Sequence, residues 1–221
     1  MKPSELSRRA GELYRKGSGL KRLMQRWRPW ICPFDRLLPL VPAGATVLDV
    51  GCGGGLFLFL LASYDQRATG TGIDLSPSSV AFARENLDLS PSLQERISFH
   101  VLDAASHWPF GQFDVVTVID LLHHVPSDRQ LEVLREAASH VKPGGMLLYK
   151  DMCDSPWWRA AANRFHDLVV AGEWIHYLPS EAVELWASAE GMKMVHTEDV
   201  RRGWYGHELR VFVRPGKPQP S

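Results

Sequence analysis

The chain has 221 residues, 45% of them hydrophobic, and its 25 Lys/Arg balance 25 Asp/Glu. That is enough apolar material for one large domain or a domain with a small cap, and no run of 18 apolar residues is present to form a membrane-spanning helix. Three scattered cysteines, Cys32, Cys52 and Cys153, form no CxxC pair; they argue against a disulfide framework or zinc site and for a reducing compartment. The N-terminus is charged and lacks the apolar core of a signal peptide, so the expected location is cytoplasmic.

Charge is unevenly distributed. Residues 1–30 hold nine Lys/Arg against Glu5 and Glu12, a surplus of seven that the other 191 residues offset. Leu6, Ala10 and Leu13 share one helical face. After the break Gly17-Ser18-Gly19, so do Leu20, Leu23, Met24 and Trp27. Residues 1–40 thus read as a helical arm or lid, with these apolar residues packed inward over the ligand site. The outward Lys/Arg would meet solvent or an anionic partner, such as a membrane surface or an acidic protein.

From residue 44 the pattern becomes regular. "ATVLDV" reads as a buried strand and "LFLFLLA" as a helix. "ATGTGID" is a second strand ending at Asp74. Ser76 and Pro77 supply an N-cap and an N1 proline for a helix running to Asn86. "ISFHVLD" and "FDVVTVID" are strands ending at Asp103 and Asp120. Ser127 is expected to cap a helix whose core face is Leu131, Leu134, Ala138 and Val141. "KPGG" turns into a fifth strand, "MLLYKDM". Alternating strands and helices imply parallel βαβ units with helices on both faces, and such sheets hold ligands at the carboxyl ends of their strands. Asp74, Asp103 and Asp120 all fall at expected strand ends.

"VLDVGCGGGL" poses the functional question. Gly51, Gly53, Gly54 and Gly55 are more glycines than a βα turn needs. The dinucleotide fingerprint fails, because its third glycine position is Leu56; the Gly-Lys-Ser/Thr ending of a P-loop is absent. What remains is Asp-x-Gly-x-Gly-x-Gly, in which backbone can approach a ligand closely and Asp49 adds a carboxylate. Asp74, twenty-three residues after Gly51, has the spacing of an acid that takes ribose hydroxyls. A ligand with a ribose, a cationic part and no pyrophosphate fits.

At these residues the chain resembles the class I S-adenosylmethionine-dependent methyltransferases. "VLDVGCGGG", "GIDLSPSSVAFAREN", "LDAASHWPF", "FDVVTVIDLLHHV" and "HVKPGGMLL" are similar to successive motifs of that family over residues 44–151. The resemblance implies a Rossmann-like, doubly wound α/β fold. Its mostly parallel sheet would have seven strands, closed by an antiparallel hairpin from "MKMVHTEDV" and "HELRVFVR", and would carry a helical cap. The methyltransferase domain would span 41–215, with a cap insertion at about 152–179 and a disordered tail at 216–221. S-adenosylmethionine would be held by Asp49, Gly51, Cys52, Gly53, Gly55, Asp74, Leu75, Asp103, Ala104, Ile119 and His124, with Asp103 and Ala104 flanking adenine and His124 packed near the cofactor.

In such a reaction a nucleophile attacks the sulfonium methyl in line, and the protein mainly aligns the reactants. A hydroxyl acceptor also benefits from a base; the candidates are Asp120 and His123. Asp120, His123 and His124 also resemble the Glu-x-x-Glu-His metal-binding arrangement of the ubiquinone-pathway O-methyltransferases, but both glutamates are replaced, and no metal is expected. Trp27, Trp30, Trp158, Trp174 and His176 fall in the presumed cap and suit an apolar or aromatic acceptor, free or tethered to a carrier protein. O-methylation is the leading expectation; C- or N-methylation and non-catalytic binding are the alternatives. Nucleic acid is not an expected partner, since "DLLH" stands where base methylases often carry Asn/Asp-Pro-Pro-Tyr.

Overall fold

The computed structural model describes residues 1–152, 180–203 and 205–216. Seven strands follow the order β3-β2-β1-β4-β5-β7-β6, the mostly parallel Rossmann-like arrangement expected. The chain divides into two compact units, Met1–Ala104 and Ala105–Ser221.

In the first unit β1 (Thr46–Val50), β2 (Thr69–Asp74) and β3 (Ile97–Val101) are parallel, with Asp49 opposite Gly72 and Gly72 opposite Phe99. The apolar run becomes α4 (Leu56–Tyr64), in which every residue from Leu56 to Ala62 is buried. A helix apolar all round must be enclosed all round. Gly70 makes room for it: a Cβ there would stand 2.7 Å from Leu58 Cδ2. Ser76 caps α5 (Pro77–Leu87), its hydroxyl accepting from the Ser79 amide. A short α6 (Pro91–Gln94) precedes β3, which ends at Val101 and leaves Asp103 two residues beyond the strand.

The N-terminal arm is α1 (Pro3–Leu13), α2 (Gly19–Ile31) and the short α3 (Phe34–Leu37). Leu6, Ala10 and Leu13 are buried as the periodicity requires. The joint between α1 and α2 is tied to α5. Asn86 Oδ1 accepts from the amides of Arg15 and Lys16, both at 2.9 Å, and its Nδ2 donates to Phe82 O. Tyr14 stacks on Phe82 at 5.3 Å and meets Phe59 edge-on at 5.5 Å. The second apolar face departs from expectation. Leu20, Leu23, Met24 and Trp27 are 50–69% exposed, because α2 turns Pro29 inward instead.

In the second unit β4 (Phe113–Ile119) is parallel to β5 (Val141–Met152), and β7 (Tyr205–Val213) is antiparallel to both β5 and β6 (Lys193–Arg202). Among the described residues its helices are α7 (Gln130–Ser139) and α8 (Ser180–Ala189). Three local expectations are corrected here. Ser127 does not cap α7: Arg129 does, without a side-chain bond, because Pro126 O takes the Arg129 and Gln130 amides and delays the helix. Leu131 is 40% exposed; Val133, Leu134, Ala137 and Ala138 form the core face. Lys142–Gly145 lies inside β5, paired through Gly144 N–Arg214 O and Arg214 N–Gly145 O, both at 2.9 Å.

Asn86→Ala orphans two backbone donors and frees the arm. Chemical denaturation should show a loss of about 2 kcal/mol, together with faster proteolysis at residues 14–18. Unchanged stability would mean that water replaces the amide.

Candidate functional site

In the first unit the glycine segment leaves β1 through three left-handed residues: Gly51 at φ 72°, Gly53 at φ 53° and Gly55 at φ 81°. The amides of Gly51 and Cys52 both donate to Ile73 O. The Gly53 amide donates to Asp74 Oδ2 at 2.8 Å and the Ser76 amide to Asp74 Oδ1 at 2.9 Å. Asp74 thus clamps the loop after β1 to the end of β2, and each of its oxygens retains acceptor capacity.

The glycines have different tasks. A Cβ on Gly55 would collide with Phe99 Cζ at 2.4 Å, so that glycine serves packing. A Cβ on Gly53 would meet nothing within 4 Å; open space lies beside its backbone. Leu75, next to the clamp, is 68% exposed. An open glycine, a carboxylate with spare acceptor sites and an exposed apolar side chain suit a nucleoside: backbone approach, ribose hydroxyls and base face in turn.

Asp49 is buried at the end of β1. Cys52, expected among the ligand contacts, packs its sulfur against Gly72, where a Cβ would stand 2.9 Å away. Burial, then the charges of Asp49 and Asp74, push its thiol well above the usual range, which keeps it neutral. Only its backbone remains for a ligand. Asp103 and Ala104 are half-buried past β3. Sequence reasoning missed two residues of the arm that reach this loop. The Tyr14 hydroxyl donates to Gly54 O at 2.6 Å, and Gln25 Nε2 would be 2.9 Å from a Gly54 Cβ. Tyr14 extends the Leu6, Ala10, Leu13 periodicity, a usable signal; Gln25 carries none.

In the second unit Ile119 is buried at the end of β4 and Asp120 follows at φ 51°, a conformation costly for a residue other than glycine. What holds it is a pair of contacts with Lys150. The Asp120 amide donates to Lys150 O at 2.9 Å, and the fully buried Lys150 ammonium donates to Asp120 Oδ1. The candidate catalytic carboxylate thus has one oxygen engaged by Lys150.

The turn Leu122–His124 comes next, its Leu122 and Val125 carbonyls accepting from buried Gln130 Nε2. His123 is 3% exposed and His124 is exposed; their rings lie 4.1 Å apart. His123 Nδ1 donates to Asp151 Oδ1 at 2.5 Å. Met152 N also donates to that oxygen, at 2.7 Å. Asp151 Oδ2 is buried without a hydrogen-bond partner among the described residues. Burial pulls the His123 pKa down, but the charge and hydrogen bond of Asp151, with help from Asp120, outweigh it; the net shift is upward. Lys150 and Asp151 were invisible to sequence reasoning because "KD" inside a strand has no motif.

Trp27 and Trp30 are 57% and 47% exposed on α2. Trp158, Trp174 and His176 lie outside the described residues. Among the described residues no group of three or more His, Cys, Asp or Glu is placed to hold a metal ion.

A family model described as a methyltransferase domain matches residues 21–197. The ubiquinone biosynthesis O-methyltransferase of Xanthomonas campestris pv. campestris (strain B100) is 41% identical over 114 residues, covering 51% of this chain and 45% of that protein. The chain thus spans about half the length of the curated relatives it matches. An O-methyltransferase family protein from Burkholderia thailandensis superposes with a TM-score of 0.72 at 21% identity, covering 97% of this chain and 69% of the other. The magnesium protoporphyrin IX methyltransferase of Synechocystis PCC 6803, with bound SAH, gives 0.68 at 18% identity, covering 96% and 95%. Both show the fold.

Lys150→Met should cost roughly 3 kcal/mol by denaturation, because Asp120 loses its buried counter-charge. The double change Lys150→Met with Asp120→Asn should recover part of it. A single variant as stable as the parent would show that the pair does not hold this corner.

Proposed function

We propose a reaction from the following premise: the chain belongs to the class I S-adenosylmethionine-dependent methyltransferase family. The proposal is O-methylation of a small or carrier-tethered apolar or aromatic acceptor, with His123 as the base. The observation that carries it is the buried contact between His123 Nδ1 and Asp151 Oδ1. The ubiquinone-pathway O-methyltransferase relative supports the choice of oxygen.

S-adenosylmethionine, when bound, supplies a methyl group on a sulfonium whose leaving group is a neutral thioether. The residues of the first unit fit it: Asp74 for the ribose hydroxyls, the open face of Gly53 for close backbone approach, Leu75 for the adenine and Asp49 for the cationic end. The second unit contributes proton handling. Asp151 accepts the hydrogen bond of Nδ1–H and so fixes the tautomer that leaves Nε2 as the basic nitrogen. As the acceptor oxygen takes the methyl group, its proton passes to Nε2, and the Asp151 carboxylate stabilises the resulting imidazolium. Raising the imidazole pKa makes the ring a stronger base, at the expense of the neutral fraction at low pH.

Calorimetry should detect S-adenosylmethionine at micromolar order, about 8 kcal/mol. Gly53→Val should abolish binding by filling the open face, with added strain of about 1–2 kcal/mol from its left-handed φ. A folded Gly53→Val protein that keeps full affinity would place the ligand elsewhere.

Acceptor methylation should fall about 10²–10⁴-fold in His123→Ala, while cofactor affinity stays within a few-fold. The rate should rise with pH through a midpoint above the ordinary imidazole value of about 6.5, and Asp151→Asn should move that midpoint down. Stability has the opposite dependence. The folded ring holds its proton more tightly than the unfolded one, so the contribution of this pair is complete below about pH 6.5 and is lost as pH climbs through the raised value. A pH profile untouched by Asp151→Asn would remove His123 from the chemistry.

A further inference from the structure

Helix α2 presents Leu20, Leu23, Met24, Trp27, Trp30 and Ile31 to the surface, each 40–69% exposed. At 100° per residue they form one continuous stripe about 120° wide. Pro29, on the opposite side, is buried, and Gln25, between it and the edge of the stripe, reaches Gly54. The helix is therefore already docked by its polar side, and its apolar side is the outer one. That inverts the usual rule for a surface helix.

Arg26 lies just past one edge of the stripe and Arg28 and Lys21 past the other; Lys21 Nζ also sits over the Phe82 ring at 5.6 Å, and Arg22 lies on the Pro29 side, where it donates to Arg15 O. They belong to a segment with a surplus of seven positive charges in thirty residues. Beside the stripe, Trp27 and Trp30 wall a groove of about 640 Å³ whose α1 side is Ser4, Ser7 and Arg8.

We propose that α2 is an interfacial helix that seats the protein on an anionic lipid surface. The stripe enters the boundary between headgroups and acyl chains, the tryptophans sit at headgroup depth, and the bordering Arg and Lys meet lipid phosphates. A lipid surface fits better than an acidic protein because six large apolar side chains run the whole length of the helix, about 20 Å. An acidic partner alone would engage the charges and leave those side chains in water. Peripheral seating would also give the enzyme access to an apolar acceptor dissolved in the membrane. That consequence rests on the methyl-transfer reading; the docking itself does not.

The test uses the full-length chain and co-sedimentation with phosphatidylcholine vesicles, with and without about one-third phosphatidylglycerol. The anionic vesicles should carry the protein down. Neutral vesicles, or salt near 0.5 M, should weaken binding about tenfold or more. Arg26→Gln should weaken it about fivefold. Trp27→Ser with Trp30→Ser should abolish it, with circular dichroism and melting temperature unchanged. Trp27→Phe with Trp30→Phe should keep binding but lose most of the quenching that brominated lipids impose on tryptophan emission, a readout independent of folding. The proposal falls if the wild-type chain ignores anionic vesicles, or if the serine variant binds them as well as the parent. It also falls if the stripe proves to be a contact between copies, seen as a dimer that Trp27→Ser with Trp30→Ser dissociates, or if an acidic carrier protein binds the chain where vesicles do not.

Discussion

One carboxylate organises the first unit. Asp74 accepts the Gly53 amide with one oxygen and the Ser76 amide with the other, so a single side chain sets the glycine loop after β1 and the start of α5 after β2. The left-handed turns at Gly51, Gly53 and Gly55 make the loop tight enough for that contact, and Phe99 fills the place a side chain would occupy at Gly55. The arm adds a second layer, through the Tyr14 hydroxyl on Gly54 O and Asn86 on the α1–α2 joint. Substitutions aimed at ligand contacts in this loop therefore also alter its folding. Asp74 in particular cannot be removed as a pure ligand contact, since two amides lose their acceptor with it.

The second unit divides two acids on different grounds. Asp120 and Asp151 both lie near the ends of their strands, but Asp120 faces a buried ammonium and Asp151 a buried imidazole. The first arrangement secures a strained backbone position. The second tunes a titratable ring, and it leaves one carboxylate oxygen without a partner among the described residues. A buried charge that is only partly satisfied is destabilising, which is typical of positions shaped by chemistry rather than by stability alone.

The arm combines two opposed tasks. Its first helix and the joint behind it are bound by apolar contacts and hydrogen bonds to α4 and α5. Its second helix brings Gln25 against Gly54 and sends its apolar stripe outward. An apolar pattern specifies that a face will avoid water; it does not specify whether protein or another apolar medium will cover it.

The regular part of the chain was legible in its residues. The buried run before Gly51, the Ser76-Pro77 helix start and the alternation of strands and helices are local signals, and β1, β2, α4 and α5 appeared within a residue or two of their expected ends. The glycine spacing and Asp74 were legible for the same reason, since backbone freedom and strand-end position are carried by few residues. What tertiary structure decided were matters of partnership between distant segments. Asp151 faces His123 only because β5 lies beside β4. The Cys52 sulfur turns into the core because Gly72 leaves a hollow for it, and Leu131 yields its place to Gln130 because two turn carbonyls needed a donor. The inward or outward sense of α2 was decided in the same way: periodicity defines a face, but only the packing of Pro29 and Gln25 shows which way that face points.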